Sequence, residues 1–403
     1  MNIIFLGGIF TERDKDAIIQ KSKGGVQNAA DTLQKNYIAG ISLSDSVKSI
    51  SIVNLPFIGA YPHRYQDLFY RPVTKYESLE RAKILNVSFL NLTIVKNIHR
   101  VIQAIKKIWT EIKPHQNEKN VLVCYSMHLP FLLACYFIKC VKKQTHLCVI
   151  VPDLPEYMAV RTGISKAVFF MLSRISYYIV NKSDSIVAIT KDMLEKFDGD
   201  IKKVVIEGIA DKSYIYTSEV AHRKNYFLYT GTLDRRYGVR NLVDSFVESG
   251  VQDYDLFICG DGDSRAYVEE IASKGTNIKY LGQLDRNSVL NLQRNATLLI
   301  NPRDNESEYT KYSFPSKIIE YMSSGVPVLM YRLDGIPEEY YGFCYVIPPG
   351  GEGLKKKLLE LSKFSDNDFV SMGESARKFI IKKKMPDMQV AKLLDAIKGD
   401  DYV

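Results

Sequence analysis

Residues 313–329, SFPSKIIEYMSSGVPVL, gather more residues with chemical potential than any other short stretch of the chain. Pro315 suits the first turn of a helix, where its missing N–H leaves nothing unpaired, and Gly325 suits the left-handed position that ends one. Between them Lys317 and Glu320 stand three apart and share a face, while Ile318, Ile319 and Met322 can turn toward a sheet. The free amides of a first helical turn attract an anion. Ser313, Phe314, Pro315, Ser316 and Lys317 therefore read as a rim for a diphosphate. Glu320 lies one turn deeper, where a carboxylate could accept hydrogen bonds from the two hydroxyls of a ribose. An ordinary amphipathic helix with a surface Glu and Lys fits the same residues.

Two strand-and-helix halves that begin alike would position this segment. The first opens on a buried strand at 3–6, then Gly7-Gly8, a polar loop, and Gly24-Gly25-Val26 starting a helix that runs through about Lys35. The second opens on a strand at 226–229, then Gly231-Thr232-Leu233 and a helix from about Val239. Both have the form of the first βα unit of a Rossmann-type fold, where glycines let phosphate or sugar approach the backbone, although a tight turn explains either pair alone. Further strands are expected at 121–125, 147–151 and 185–189 in the first half, and at 256–259, 278–281, 298–300 and 328–331 in the second. In such sheets ligands bind beyond the carboxyl ends of the strands, so the segments at 231, 260, 303 and 315 are expected to converge on one pocket. Asp261-Gly262-Asp263 follows Gly260 at a strand end and reads as a turn rather than a metal site.

Pro315, Lys317, Glu320, Tyr321, Gly325 and Pro327 at these spacings resemble the signature helix of the GT-B glycosyltransferases. The closest resemblance is to the large retaining family called family 4, which builds bacterial surface polysaccharides. It extends over almost the whole chain and is most specific from 229 to 329. It implies an α/β chain of GT-B fold, two Rossmann-like doubly wound domains facing across a cleft. Residues 1–207 would bind the acceptor and 208–384 the nucleotide-sugar donor, with a C-terminal helix at about 385–403 packing back on the first domain. The apolar spacing over 388–397 suits that crossing.

The family usually carries two glutamates eight apart, and the position eight before Glu320 is Tyr312. The glutamate that touches the transferred sugar is therefore missing, while the ribose role of Glu320 is kept. Family members also place an arginine after the glycine of the second opening turn and a lysine before a later glycine. Thr232 and Tyr237 stand there, so some of Arg235, Arg236, Arg303 and Lys317 are expected to neutralise the leaving diphosphate without a metal. Gly24, Gly25, Gly231, Thr232 and Gly260 are expected to border the nucleotide sugar. His128 in YSMHLPF and Asp153 in VPDLPEYM fall where family members carry His or Asp. One of them is expected to contact the donor sugar or the acceptor hydroxyl, with the departing phosphate oxygen taking the proton. A capping or turn role fits both residues as well.

Composition bounds the rest. At 403 residues the chain is too long for one core and suits two domains. No HxxxH or CxxC pair marks a metal site, and the six cysteines read as buried thiols of a reducing compartment. Met1 leads directly into a strand and no uncharged run is long enough to span a bilayer, so a cytoplasmic protein is expected. The run 164–180, interrupted by Lys166 and Arg174, reads as a buried core helix. A net charge of +8 is modest for nucleic acid but sufficient for an anionic surface. Residues 61–119, with His63, Arg64, Tyr65, Phe69, Lys96, Arg100, Lys106 and Lys107 among them, could meet a membrane carrying a polyprenyl-diphosphate sugar, or could be solvated helix faces. The resemblance implies transfer from a nucleoside-diphosphate sugar, UDP before GDP, to a glycan or lipid-linked glycan in polysaccharide, capsule or O-antigen synthesis. A GT-B epimerase or a non-catalytic nucleotide-sugar-binding partner would share the fold. A nicotinamide dehydrogenase is disfavoured, because neither half carries a full GxGxxG.

Overall fold

The computed structural model describes residues 1–158, 163–215 and 224–399. The chain divides into two compact units, Met1–Ile209 together with Pro386–Val403, and Ala210–Met385.

Runs such as NIIFLG and NVLVCY are buried along their whole length, a pattern that suits inner strands of a parallel sheet covered on both faces. The first unit builds such a sheet. Its elements in order are β1 (Asn2–Gly7), α1 (Lys15–Lys21), α2 (Asn28–Ser42), β2 (Ser49–Asn54), β3 (Phe69–Tyr70), β4 (Tyr76–Leu79), β5 (Ala82–Asn86), β6 (Phe89–Leu90) and α3 (Thr93–Ile112). There follow β7 (Asn120–Tyr125), α4 (Leu129–Val141), β8 (His146–Val151), α5 (Pro155–Met158), α6 (Gly163–Val180), β9 (Ser185–Ala188), α7 (Lys191–Leu194) and β10 (Lys202–Val205). The main sheet runs β10-β9-β8-β7-β1-β2-β5-β4, parallel except at the β4–β5 edge, and β3 pairs with β6 in a separate ribbon. The order reverses between β1 and β7, which is the switch point of this unit.

The second unit repeats the plan with β11 (Lys224–Thr230), α8 (Val239–Ser249), β12 (Asp255–Cys259), α9 (Arg265–Ala272), β13 (Ile278–Tyr280), α10 (Arg286–Asn295) and β14 (Ala296–Asn301). It continues with α11 (Lys317–Ser323), β15 (Val328–Tyr331), β16 (Tyr345–Ile347), α12 (Gly353–Leu361) and α13 (Asp366–Lys383). Its six strands are parallel in the order β13-β12-β11-β14-β15-β16, with the switch point between β11 and β14. The chain then returns to the first unit as α14 (Pro386–Lys398), which packs on α2. Gly40 makes that approach possible, since a Cβ there would lie 2.4 Å from both the Pro386 carbonyl oxygen and Val390 Cγ2. The expected helix at about 385–403 is thus described to Lys398, and residues 400–403 lie outside the described part.

Three local expectations are corrected. No helix starts at Gly24-Gly25: both are exposed in a loop, Gly24 has φ +116°, which an α-helix does not allow, and the helix is Asn28–Ser42. The preceding polar stretch forms α1 instead. The run 164–180 is not a core helix. Among its described side chains Val168, Phe170, Met171, Leu172, Ile175 and Tyr178 are exposed, while burial is confined to Ser176, Ile179 and Val180 near the end of α6. Five cysteines are buried as free thiols, but Cys140 is exposed, on the opposite side of α4 from Cys135 and Ile138.

Candidate functional site

In the second unit the last residue of β11, Thr230, ties the switch point to α11. The Tyr321 hydroxyl accepts from the Thr230 N–H at 2.9 Å and donates to the Thr230 carbonyl oxygen at 3.0 Å. Gln293 on α10 joins the two chains of contact, its Nε2 donating to Thr230 Oγ1 at 3.0 Å and to Glu320 Oε1 at 2.6 Å. Asp285 caps α10 by accepting from the Asn287 and Ser288 amides, which sets Arg286 at the first helical position. From there Arg286 reaches Glu320 Oε2 at 2.9 Å, and its guanidinium lies 4.7 Å from the Tyr214 ring centroid.

Glu320 is therefore a buried, fully oriented carboxylate, 6% exposed. Lys317 donates to its Oε1 at 2.8 Å, as their shared face requires. Burial would raise this carboxyl, but Lys317, Arg286 and the Gln293 amide outweigh it and hold it below the usual carboxylate range. Oε1 accepts two donors and Oε2 one, so a single acceptor direction remains open, against the two ribose contacts expected. Pro315 is also displaced from its expected place. It precedes the helix by two residues, because Ser313 is still extended at φ −147° and α11 begins at Lys317. Gly325 adopts the left-handed conformation just past the helix, as expected.

Arg303 follows β14 and is the most unusual cation of this edge. It is 6% exposed, donates from Nη1 to Ser313 Oγ at 3.0 Å, and lies 4.9 Å from the Tyr309 ring and 5.7 Å from the Tyr237 ring. No carboxylate pairs with it among the described residues. The other three expected cations differ from it and from one another. Lys317 is held by Glu320, and Arg236 forms a two-pronged pair with Asp234 on the surface, so neither is free. Arg235 donates only its backbone amide, to Asp263 Oδ1 at 3.1 Å, among the described bonds.

The glycine turns meet as closely as backbone permits. A Cβ on Gly260, at φ +142°, would stand 1.8 Å from the Gly231 carbonyl oxygen, so Gly260 has no tolerable substitute there. Thr232 O accepts from the Tyr229 hydroxyl at 2.8 Å. Asp263 accepts from Arg235 N and Ser264 Oγ, and Asp261 from the Gly262 amide, so the Asp261-Gly262-Asp263 carboxylates brace their own turn. Among the described residues no cluster of three or more His, Cys, Asp or Glu is arranged to hold a metal. The segments at 231, 260, 303 and 313–320 thus adjoin at one sheet edge. The cavity of about 390 Å³ in this unit, bordered by Lys224, Tyr226, Asp255 and Asn291, opens at the opposite, amino edge.

The first unit differs from its expectation at the opening turn. The amides of Gly8, Ile9 and Phe10, which would face a phosphate in a Rossmann cradle, are taken by Gln34 Oε1 at 2.8 Å, Asn54 Oδ1 at 2.8 Å and Asp31 Oδ1 at 2.7 Å. The turn after β1 is closed to ligand for that reason. Gly24 and Gly25 instead border a pocket of about 380 Å³ that also includes His128, Lys96 and Arg100. His128 stands at the start of α4, edge-on to Phe131 at 4.7 Å and Phe57 at 5.7 Å, with Nδ1 buried and unpartnered. Burial, then the charges of Arg100 and Lys96, push its imidazole well below the ordinary value, so it is neutral at pH 7 and suited to hydrogen bonding rather than proton donation. Asp153 follows β8, the neighbour of β7; its side chain reaches solvent, yet desolvation of the carboxyl by the chain packed around it pushes it up to about 6. His128 and Asp153 therefore flank one sheet edge, but Asp153 does not line the pocket.

Sequence reasoning missed Arg286, Gln293 and Tyr214 in the second unit. The Asp285 cap was the available signal, because it fixes which residue opens α10. In the first unit the spacing of Arg100, Ala104, Ile108 and Ile112, all buried, marks the inward stripe of α3 and would have placed Arg100 inside.

Residues 224–363 match the family described as Glycosyl transferases group 1. The chain has the GT-B fold. The solved sucrose-phosphate synthase of Thermosynechococcus elongatus is similar over 99% of this chain and 98% of that one, with a TM-score of 0.61 at 14% identity. Anabaena Alr3699/HepE in complex with UDP matches over 99% and 100%, with a TM-score of 0.61 at 12% identity. WaaG, a glycosyltransferase involved in lipopolysaccharide biosynthesis, matches over 98% and 100%, with a TM-score of 0.57 at 14% identity. At such identities the likeness is one of fold. No curated protein sequence matches the chain.

Proposed function

We propose that the protein transfers a sugar from a nucleoside-diphosphate sugar, with UDP favoured over GDP, to a glycan or lipid-linked glycan acceptor, with retention and without a metal. Arg303 carries this reading: a buried cation with no carboxylate partner, at the switch-point edge beside Ser313, is suited to a diphosphate. Arg235 adds a second, exposed cation. Glu320 keeps one acceptor direction for a ribose hydroxyl, and Arg286 and Tyr214 border it. The donor's diphosphate would be neutralised by arginine, and its departing oxygen would take the acceptor proton. His128, neutral and with a free Nδ1, would hydrogen-bond the transferred sugar or the acceptor hydroxyl. The solved Alr3699/HepE complexes with UDP and with UDP and glucose support a uridine donor.

Synthesis of bacterial surface polysaccharide at the cytoplasmic face of a membrane fits the first unit. No described helix is long and apolar enough to cross a bilayer. Helices α3, α4 and α6 pack side by side and expose Ile98, Ile102, Phe137, Val141, Phe170 and Met171, interspersed with lysines such as Lys106, Lys139 and Lys142. That combination suits an interfacial anchor on anionic lipid. Calorimetric titration with UDP and GDP in the presence of a chelator, on the wild type and on Glu320→Gln, tests the donor reading. Metal-free, saturable binding of one of them, weakened by the substitution, is expected. Binding of neither would overturn it.

A further inference from the structure

The 380 Å³ pocket of the first unit holds, beside His128, two buried cations that nothing above employs. Lys96 and Arg100 enter it from consecutive turns of α3, 8% and 1% exposed, and His128 enters from the start of α4. The partners of the two cations are backbone carbonyls, Ile58 for Lys96 and Pro56 for Arg100, and Arg100 also lies 4.4 Å from the Phe89 ring. Among the described residues no carboxylate pairs with any of the three. Two buried polar atoms, Arg100 Nε and His128 Nδ1, have no hydrogen-bond partner at all. Pinning the loop at 56–58 accounts for the carbonyl contacts but leaves those two nitrogens, and the excess positive charge, unexplained. Burial pushes the Lys96 ammonium down to about 7 and the Arg100 guanidinium down to about 9, each further lowered or opposed by neighbours that supply no full negative charge at neutral pH. Two cations so placed lack the counter-charge that buried ions require. Exposed Arg64 and Lys23 add positive charge at the rim.

We propose that this pocket binds a phosphate or diphosphate and, resting on the transferase reading above, that this group belongs to the acceptor rather than to the nucleotide sugar. The donor's diphosphate has its own cations in the second unit, Arg303 and Arg235, so the first unit's set is free for a second anion. Arg100 Nε and the Lys96 ammonium would each gain an oxyanion as acceptor or as counter-charge, leaving His128 Nδ1 to the sugar or hydroxyl beside it.

The test is calorimetric titration of the full chain with inorganic pyrophosphate while UDP is present at saturation. One equivalent of pyrophosphate is expected to bind. Lys96→Met should weaken it tenfold or more and Arg64→Gln threefold or more, while both variants bind UDP as the wild type does. Arg64 is exposed, so its variant remains informative if Lys96→Met folds poorly. Farnesyl diphosphate, used below its micelle concentration, separates two carriers of the phosphate. Binding tenfold tighter than pyrophosphate supports a polyisoprenyl-linked acceptor, and equal binding supports a soluble phosphorylated one. Pyrophosphate that binds only in the absence of UDP, or that binds both variants as tightly as the wild type, overturns the proposal. Pyrophosphate binding that depends on Lys96 in a protein that takes up no nucleoside diphosphate would uphold the pocket and remove the transferase reading.

Discussion

Replacing Arg303 with methionine separates a ligand-binding cation from a structural one. The side chain is 6% exposed, makes one hydrogen bond to Ser313 Oγ at 3.0 Å, and lies against two tyrosine rings at 4.9 and 5.7 Å. Losing the hydrogen bond costs about 1 kcal/mol and losing the ring contacts about 0.5–2 kcal/mol. Against this, a buried charge with no carboxylate partner carries a desolvation cost of several kcal/mol, which methionine of similar length does not. The two sides nearly cancel, so the free variant should melt within a few degrees of the wild type. A bound diphosphate changes the balance, since a hydrogen bond to a charged partner contributes about 1.5–3 kcal/mol. At about 1.4 kcal/mol per decade, Arg303→Met should weaken UDP roughly 10- to 150-fold. Arg303→Lys should fall between, because lysine keeps the charge but loses the planar fork. Calorimetry gives the affinities, and thermal melts with and without UDP give the stabilities. An affinity within threefold of the wild type, or a large fall in the melting temperature of the free protein, would refute the assignment and make Arg303 a structural residue.

Tyr321→Phe removes the hydroxyl that serves the Thr230 amide and carbonyl, leaving buried backbone groups unpaired, and should destabilise the second unit by about 1–3 kcal/mol in urea titration. Glu320 predicts an acid dependence. Its folded carboxyl lies below the ordinary 4.5, so its contribution to stability is complete above about 4.5 and is lost as pH falls through the lower folded value. Glu320→Gln should therefore flatten the loss of urea stability between pH 5 and pH 3 relative to the wild type; parallel curves would remove the argument. Phe170→Ser combined with Ile102→Ser should lower flotation with vesicles containing about 30% anionic lipid at least severalfold without changing the melting temperature, since both side chains are exposed; unchanged flotation would exclude this face.

The sequence made the second unit legible because β11 to β14 end in Gly, Gly-Asp or Asn-Pro punctuation, and because 226–229 and 328–331 are short apolar runs buried along their whole length. Glu320 and Lys317 were found as a pair because helical spacing alone brings them together. What spacing could not reveal is the third partner. Arg286 is 34 residues away in sequence and meets Glu320 only through the placement of α10 beside β11 and β14. The first unit was less legible for the opposite reason. Gly7-Gly8 has the form of a phosphate turn, yet Gln34, Asn54 and Asp31, from two other elements, occupy its amides. Glycine content reports that backbone must approach something closely, not whether that something is a ligand or a neighbouring side chain. The apolar run at 164–180 misled similarly, since apolar content alone does not tell a helix that faces a core from one whose apolar side chains stay exposed.

The same physical device recurs at the carboxyl edges of the two sheets. In the second unit Arg303 is buried with hydroxyl and ring partners; in the first, Lys96 and Arg100 are buried with carbonyl and ring partners. Among the described residues neither set has a carboxylate, although the chain carries 46 Asp and Glu and uses them freely to pair surface cations such as Arg236, Lys274 and Lys279. A buried cation satisfied by neutral acceptors leaves its charge for an incoming anion, which for Lys96 would also draw back the proton that burial loosens, whereas one paired with Glu or Asp would have to break that pair before an anion could bind. Arg286 and Lys317, which do share a carboxylate, are for that reason poorer candidates to receive a phosphate than Arg303, and better understood as holding Glu320 in place. Charge reversal at Lys317 should accordingly disturb the orientation of Glu320 and the contribution of the ribose more than that of the diphosphate, so at the donor site its affinity loss should be larger for UDP than for inorganic pyrophosphate, whereas Arg303→Met should weaken both alike.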